Sequence, residues 1–523
     1  MVTDSAGNVY VCGRFIGQGS PTINGTPITS FGGYDIFVAK FNCAGNLLWV
    51  KTAGNFDYGD DAMSLVLDNF GHLYVTGEVY SSPFSSYCNF MGDTIIDDVN
   101  DMFLCKMDTS GNLLWVKWAA PNTGSFNTAS LPYQLQVKSN GNLKIFFSLS
   151  APGLFWSGDS INTRGLYIAE FDTAGTFLDA DTVLSSNFGL GSFVDFILDN
   201  NQNQYITGYF YSDSIEVGGK ILYKQSLNGF SSGDMFIAKF NPSGSPQWIQ
   251  QIVINDSILN IPFGITIKDN YLYVAANGRQ GIVGNDTLIN SQSNNNFPYV
   301  IKLNTNGQII WAKGSSSQYP FSCSGGIAVS SNNSSLYISG NFSGIANFGS
   351  TSINSPLGSG LYIAEIDTAG SWQSAQFLDG LSSNTYPLCT TLDATDNILV
   401  AGGFDGPLIF NGNQISSAGG YTDGFIAKYG LQCSVGLNED LAASSVQLKL
   451  FPNPATNHIS LQTIGFNNST ITILNTMGQT VFTSNLSAIQ NQTTINISKL
   501  SSGVYFIKVN DNENTVTLKF VKQ

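Results

Sequence analysis

Residues able to do chemistry are sparse in this chain. There are two histidines, His72 and His458, and three arginines, Arg14, Arg164 and Arg279. A nucleophile, histidine and carboxylate relay needs three groups in fixed mutual orientation. His72 falls in a hairpin turn and His458 in a separate C-terminal segment, so neither reads as catalytic. No phosphate loop or H-E-x-x-H pair occurs. Three guanidinium groups could clamp a carboxylate, but these stand at non-equivalent places and read as exposed loop residues. The densest acidic cluster is Asp93, Asp97, Asp98 and Asp101. Hard cations take clustered carboxylates from loops, so calcium is the ion it could hold; the plainer reading is a solvated loop. No other cofactor is indicated. Paired carboxylates for glycoside cleavage leave no spacing signature, so that chemistry stays open.

The elements that would position such groups follow from composition and repetition. The chain has 523 residues, 42% of them apolar and only 11% charged. Its surface must therefore be Ser, Thr, Asn, Gln and Gly rather than ions. A net charge of −15 argues against nucleic acid and anionic lipid as partners. No apolar run is long enough for a membrane span, and the start, MVTDSAGNVY, lacks the pattern of a leader peptide. The seven cysteines form no C-x-x-C pair, which excludes a dense disulfide framework; Cys88 with Cys105 is the pair to test.

One apolar run recurs seven times: DIFVAKF, DMFLCKM, GLYIAEF, DMFIAKF, FPYVIKL, GLYIAEI and DGFIAKY, with central aromatics 63–69 residues apart. The first six are followed by Asn or Asp, two residues and a glycine (Gly45, Gly111, Gly175, Gly244, Gly307, Gly370). Asx opens such a turn and glycine takes its positive φ. Trp49, Trp115, Trp248 and Trp311 stand seven residues past the Asx; in the third and sixth copies the aromatic comes early, as Phe177 and Trp372. Those two copies also carry Glu170 and Glu365 where others have Lys, so the charge is expected to serve solvation at the strand's end. A second strand lies upstream (GNVYVCGRF, GHLYVTGEV and equivalents), and a short apolar strand precedes it. Between the second and third strands lies an excursion with its own hairpin signal, as in NGTPI and SGDSI.

The unit is thus four strands in meander order. Both faces of DIFVAKF are apolar except at Lys40, so each sheet must be covered on both sides. The expected fold is all-β: residues 1–430 as a β-propeller of about seven four-stranded antiparallel blades. The pattern carried by DSAGNVYVCGRF, GGYDIFVAKF and GNLLWVK resembles the SBBP β-propeller repeat of bacterial exported proteins. The first copy begins inside its innermost strand and the seventh lacks a tryptophan strand. Upstream residues, including a leader, are therefore expected to be missing through N-terminal truncation.

Residues 431–446 lose the repeat and read as a linker. From 447 to 523 short alternating strands separated by Asn, Gly and Ser turns predict a small immunoglobulin-like β-sandwich. This segment resembles the C-terminal sorting domain of the type IX secretion system of the Bacteroidota. The resemblance is carried by Pro452, Asn453, Pro454, Asn475, Gly478, Gln479, Ser502, Gly503, Tyr505, Lys519 and Lys522. Turn chemistry at Pro454, Gly478 and Gly503 accounts for part of the same pattern. The resemblance implies type IX machinery as partner and a secreted or cell-surface location. The expected role is a binding or adhesion scaffold for an extracellular glycan or protein. The alternatives are a polysaccharide hydrolase or lyase using carboxylates in the cleft, and a structural extracellular protein.

Overall fold

The computed structural model describes residues 1–16, 20–56, 59–79, 87–96, 101–121, 130–149, 154–156, 159–185, 193–225, 233–254, 260–290, 295–319, 322–332, 334–378, 385–410, 413–417, 422–430, 447–451, 455–464, 469–475, 479–486, 492–510 and 515–523. The chain divides into two compact units, Met1–Cys433 and Ser434–Gln523. The expected linker, 431–446, lies outside the described residues. Every described element is a strand and every ladder is antiparallel, apart from one isolated parallel bridge in the second unit.

In the first unit each repeat builds one sheet in meander order. The first has strands Val2–Thr3, Val9–Ile16, Tyr34–Phe41 and Leu47–Gly54; the second has Asp61–Leu67, His72–Val79, Asp101–Asp108 and Leu113–Pro121. Four further repeats follow the same order. In the seventh, Thr385–Leu392, Ile398–Phe404 and Asp423–Tyr429 form a three-stranded sheet. The first strand of each repeat lies against the first strand of the next and is termed innermost on that ground. It carries a bulge at Met63, Tyr133, Val194, Phe263 and Leu388 in repeats two, three, four, five and seven.

Side-chain alternation explains why the runs are apolar on both faces. In the second repeat Phe103, Cys105 and Met107 pack with Tyr10, Ile36 and Val38 of the first, while Met102 and Leu104 pack with Leu143, Ile145 and Tyr167 of the third. Odd and even positions of one strand thus feed two different cores. The relation also joins the two ends of the unit: Leu399 of the seventh repeat packs with Val9, Ala39 and Phe41 of the first. Beside it Thr3 Oγ1–H donates to the carbonyl of Leu392 at 3.3 Å.

The excursions cover sheet edges. The hairpin Tyr87–Phe90 and Asp93–Ile96 of the second repeat adds to the outer strand of the first, pairing Phe90 with Ala53. The third repeat's hairpin, Leu154–Trp156 and Asp159–Ile161, does the same to the second. A row of unpaired backbone groups that could template association is thereby occupied.

The six turn glycines have φ between 75° and 95°. In the first turn Asn42 Oδ1 accepts from the amides of Ala44 and Asn46. The lysines differ from the sequence expectation. Lys40, Lys239 and Lys302 are not merely solvated strand ends: each Nζ donates to the carbonyl of a threonine in the next repeat's turn, Thr109, Thr305 and Thr368, at 3.2, 3.2 and 2.8 Å. Each ammonium also lies over a tyrosine of its own sheet. Where the sign reverses, the partners change too: Glu170 accepts from Lys138 and Asn142, and Glu365 from Ser335 and Ser374.

In the second unit one sheet has three strands and the other four. They share a core of Ile459, Leu461, Ile471, Ile473, Ile495, Ile507, Val509 and Phe520.

Candidate functional site

Comparing the repeats with each other isolates one place where the frame is constant and the residue is not. On the second strand, after the run Tyr-Val-x-Gly or its equivalent, stand Arg14, Glu78, Ser148, Tyr209, Asn277, Asn341 and Gly403. Ladder register fixes the equivalence: they pair with Ile36, Met102, Leu166, Met235, Pro298, Leu361 and Gly424, at one common level of the third strand. A fold that needed one residue type there would repeat it. Asn277 and Asn341 are used within the fold, accepting from the amide of Cys323 and from Ser322 Oγ, while Arg14, Glu78 and Tyr209 bring charge and an aromatic hydroxyl to the same level.

Three of the charged groups converge. Arg14 Nη1 lies 3.2 Å from Asp61 Oδ2, an ion pair joining the first repeat to the start of the second's innermost strand. Its guanidinium sits 4.9 Å from the centre of the Tyr34 ring. Asp61 is the direct cross-strand partner of Glu78, which brings two carboxylates to one point of the ladder. Burial, and after it the Asp61 charge, pushes Glu78 up to about 7, against the opposing pull of Arg14. Burial likewise raises Asp61, and Arg14 draws it back. Tyr133, on the neighbouring innermost strand, donates its hydroxyl to Ser148 Oγ at 3.2 Å and lies within the fields of Glu78 and Tyr209. An arginine, a carboxylate that keeps its proton near neutral pH, a second carboxylate and two tyrosines make a polar, aromatic surface suited to hydroxylated ligands.

Beneath this surface a hydrogen-bonded chain crosses the innermost strands at the residues next to the bulges. Ser64 Oγ–H donates to Gln134 Oε1 at 2.9 Å and Gln134 Nε2–H to Asp195 Oδ1 at 3.1 Å. Asp195 Oδ2 accepts the amide of Ile265 at 2.9 Å. Burial pushes Asp195 up to about 6 in spite of these donors.

The residues singled out by sequence are placed as follows. Arg14 lies within a strand rather than a loop, which corrects the earlier reading. Arg164 immediately precedes the strand Gly165–Phe171 of the third repeat, and Arg279 immediately follows the strand Tyr271–Gly278 of the fifth. Asp97 and Asp98 lie outside the described residues, and of Asp93 and Asp101 only the backbone is described. Among the described residues no group of three or more His, Cys, Asp or Glu is arranged to hold a metal. His72 Nδ1 is 3.0 Å from Asp68 Oδ2 within its own turn. Cys88 and Cys105 are both buried free thiols.

In the second unit Pro452, Asn453, Pro454 and Gly478 lie outside the described residues. Gly503 opens the strand Gly503–Asn510 with a positive φ of 158°. Tyr505 is buried, stacks on Phe520 at 5.6 Å, and donates its hydroxyl to the carbonyl of Ser501 at 2.9 Å. The backbone of Lys519 pairs with Phe506 on the edge ladder.

Glu78 and Asp61 were not legible as a pair. The signal that could have found them is the variable position inside an otherwise repeated strand.

Residues 449–523 match the family model for the secretion system C-terminal sorting domain. The sorting domain marks the protein as exported, secreted or held at the cell surface, with the type IX machinery as its partner. No curated protein matches the chain. Among solved structures it is similar to a polysaccharide lyase described as an ulvan lyase (8% identity, TM-score 0.37, covering 65% of this chain and 75% of that one). It is also similar to a protein of unknown function from Dyadobacter fermentans (9%, 0.33, 63% and 88%) and to a Synechocystis apocarotenoid oxygenase variant (10%, 0.32, 94% and 92%). At these scores the likeness carries no functional argument. No described helix is long and apolar enough to cross a membrane, which says nothing of strands.

Proposed function

We propose that the exported protein is a seven-bladed β-propeller that binds glycan at the mouth bordered by Arg14, Asp61, Glu78, Tyr133 and Tyr209. The ring reading is supported by the packing of Leu399 against Val9, Ala39 and Phe41 and by the bond from Thr3 to Leu392. Sheets that hand their cores from one neighbour to the next, and then join last to first, need no other closure. The binding reading is carried by the convergence of Arg14, Asp61 and Glu78 from two repeats at the variable level of the second strand. Saccharides are held by such sets: aromatic faces for the sugar ring, charged and neutral hydrogen-bonding groups for its hydroxyls. An uronate carboxylate would be matched by Arg14.

A second reading has its own observation. A carboxylate retaining its proton to about 7 beside another on the adjacent strand is the arrangement used to cleave glycosidic links, one group as acid and the other as base or nucleophile. Passing the full chain and its Glu78→Gln and Arg14→Ala variants over a panel of neutral and uronate polysaccharides, and scoring both retention and soluble product, separates the two. Retention lost in Arg14→Ala without product supports binding. Product that vanishes in Glu78→Gln supports cleavage, and no retention by any polysaccharide rejects both.

A further inference from the structure

A second pair of carboxylates, next in sequence to Tyr34 and Asp61, is fully buried. Asp35 opens the third strand of the first repeat and Asp60 leads into the innermost strand of the second; both are 0% exposed. Asp35 Oδ2 is well supplied, accepting from Ser30 Oγ at 2.7 Å and from the amides of Phe31 and Gly32 at 2.9 and 3.4 Å. Its other oxygen, Oδ1, is buried with no hydrogen-bond partner. That oxygen points at Gly54: a Cβ placed there would come 2.0 Å from Asp35 Oδ1 and 3.1 Å from Asp60 Oδ2. The two carboxylates thus flank the same glycine, within the span of oxygens that share one cation.

The fourth repeat holds the same frame with different charges. Asp234 takes the place of Asp35 and is equally buried, but Gln251 Nε2–H donates to its Oδ2 at 2.6 Å, as does the amide of Gln225 at 2.7 Å. Gln251 faces Phe236 in the ladder as Thr52 faces Phe37, so the first repeat lacks that amide. The place of Asp60 is held by Asn260, whose backbone amide donates to Gly233 as that of Asp60 donates to Tyr34. Between the two repeats one neutral amide, Asn260, has become a carboxylate, Asp60, and the side-chain amide of Gln251 has given way to Thr52. A buried carboxylate oxygen without donor or counter-charge is strongly disfavoured.

We propose that Asp35 and Asp60 hold a divalent cation, calcium by its preference for carboxylate and carbonyl oxygen, which ties the first repeat to the second. Because Asp61 follows Asp60 directly, the ion also fixes the strand that carries the mouth's carboxylate. The inference does not depend on what the mouth binds.

The test uses the full chain, stripped with chelator and titrated with calcium chloride by calorimetry and by thermal unfolding. Calcium is expected to bind and to raise the unfolding temperature, since a ligand of the folded state alone stabilises it by mass action. Asp60→Asn, which gives the first repeat the neutral side chain that Asn260 supplies after the fourth, is expected to fold and to weaken calcium binding by at least about tenfold through the lost charge. An Asp97→Asn, Asp98→Asn double variant is expected to keep the wild-type response. The proposal is overturned if the wild type shows no calcium-dependent shift, if Asp60→Asn keeps that shift, or if the double variant loses it.

Discussion

The indole Nε1–H of Trp248 donates to the carbonyl oxygen of Thr305 at 2.9 Å, 57 residues further along the chain. Lys239 of the same sheet donates to that oxygen as well, and the indole lies over Gly307 two residues on. The arrangement recurs from Trp49 and Lys40 to Thr109, and from Trp311 and Lys302 to Thr368. The outer strands of the first, fourth and fifth repeats therefore fasten to the turn that follows in the next repeat. The sixth repeat departs: Trp372 comes two residues early, opposite Ile366 rather than Glu365, and its Nε1–H donates back to Gly314 of the fifth. An early aromatic thus reverses the direction of the fastening.

Substituting the turn glycine separates two costs. Gly307 and Gly45 both have φ 85°, but a Cβ at Gly307 would meet the Trp248 ring at 2.8 Å, whereas nothing lies within 4 Å of one at Gly45. Gly45→Ala is expected to lose about 1–2 kcal/mol, the penalty of a left-handed alanine. Gly307→Ala should lose that plus the indole contact, about 1–3 kcal/mol more. Urea unfolding reads both, and equal losses would show that the tryptophan does not bear on the turn.

The lysine can be tested by sign. Lys302→Met keeps the stem over Tyr271 and Tyr273 but removes the donor to Thr368, and about 1–2 kcal/mol is expected to go with it. Lys302→Glu should cost more, because a carboxylate would face a carbonyl oxygen without the Lys138 or Ser374 that serve Glu170 and Glu365. A glutamate as well tolerated as methionine would return the lysine to a purely solvating role.

Strand order and two-sided covering were legible because period-two alternation and Asx-to-Gly turns are local. The all-β class, the four-strand meander and the positive φ of Gly45 and Gly111 need only neighbours in sequence. The bond from Lys302 to Thr368 was not legible, since it joins residues 66 apart and depends on how sheets stack. Asp61 and Glu78 belong to strands whose register had to be known before they could face each other. Asp35 reads as one more repeated aspartate until Asp60 is seen across Gly54.

Asp195 predicts a stability change in mild acid. Its carboxyl is raised from 3.8 to about 6, chiefly by burial, so between those values the folded chain holds a proton that the unfolded chain has released. Stability from this group is therefore present below 3.8 and is lost as pH rises through about 6. Asp195→Asn stays neutral and can still accept the amide of Ile265, so the slope across that window should flatten. A slope unchanged in the variant would mean that the chain from Ser64 to Ile265 does not desolvate this group.

Glu78 makes the proposed glycan surface sensitive to pH. Raised from 4.5 to about 7, it is a hydrogen-bond donor below that point and an anion beside Asp61 above it. The proton is held more tightly folded than unfolded, so this group too favours the native state at low pH and loses that contribution as pH rises from 4.5 to about 7. A glycan oxygen bonded by the protonated form should be released as pH rises through about 7, and an uronate more steeply, because repulsion from the new carboxylate adds to the lost donor. Glu78→Gln carries a permanent donor of nearly the same shape. Retention on polysaccharide followed against pH should then fall through about neutrality in the wild type and stay level in Glu78→Gln. Parallel curves for the two proteins would remove Glu78 from the binding surface and leave Arg14 as its only ionic determinant.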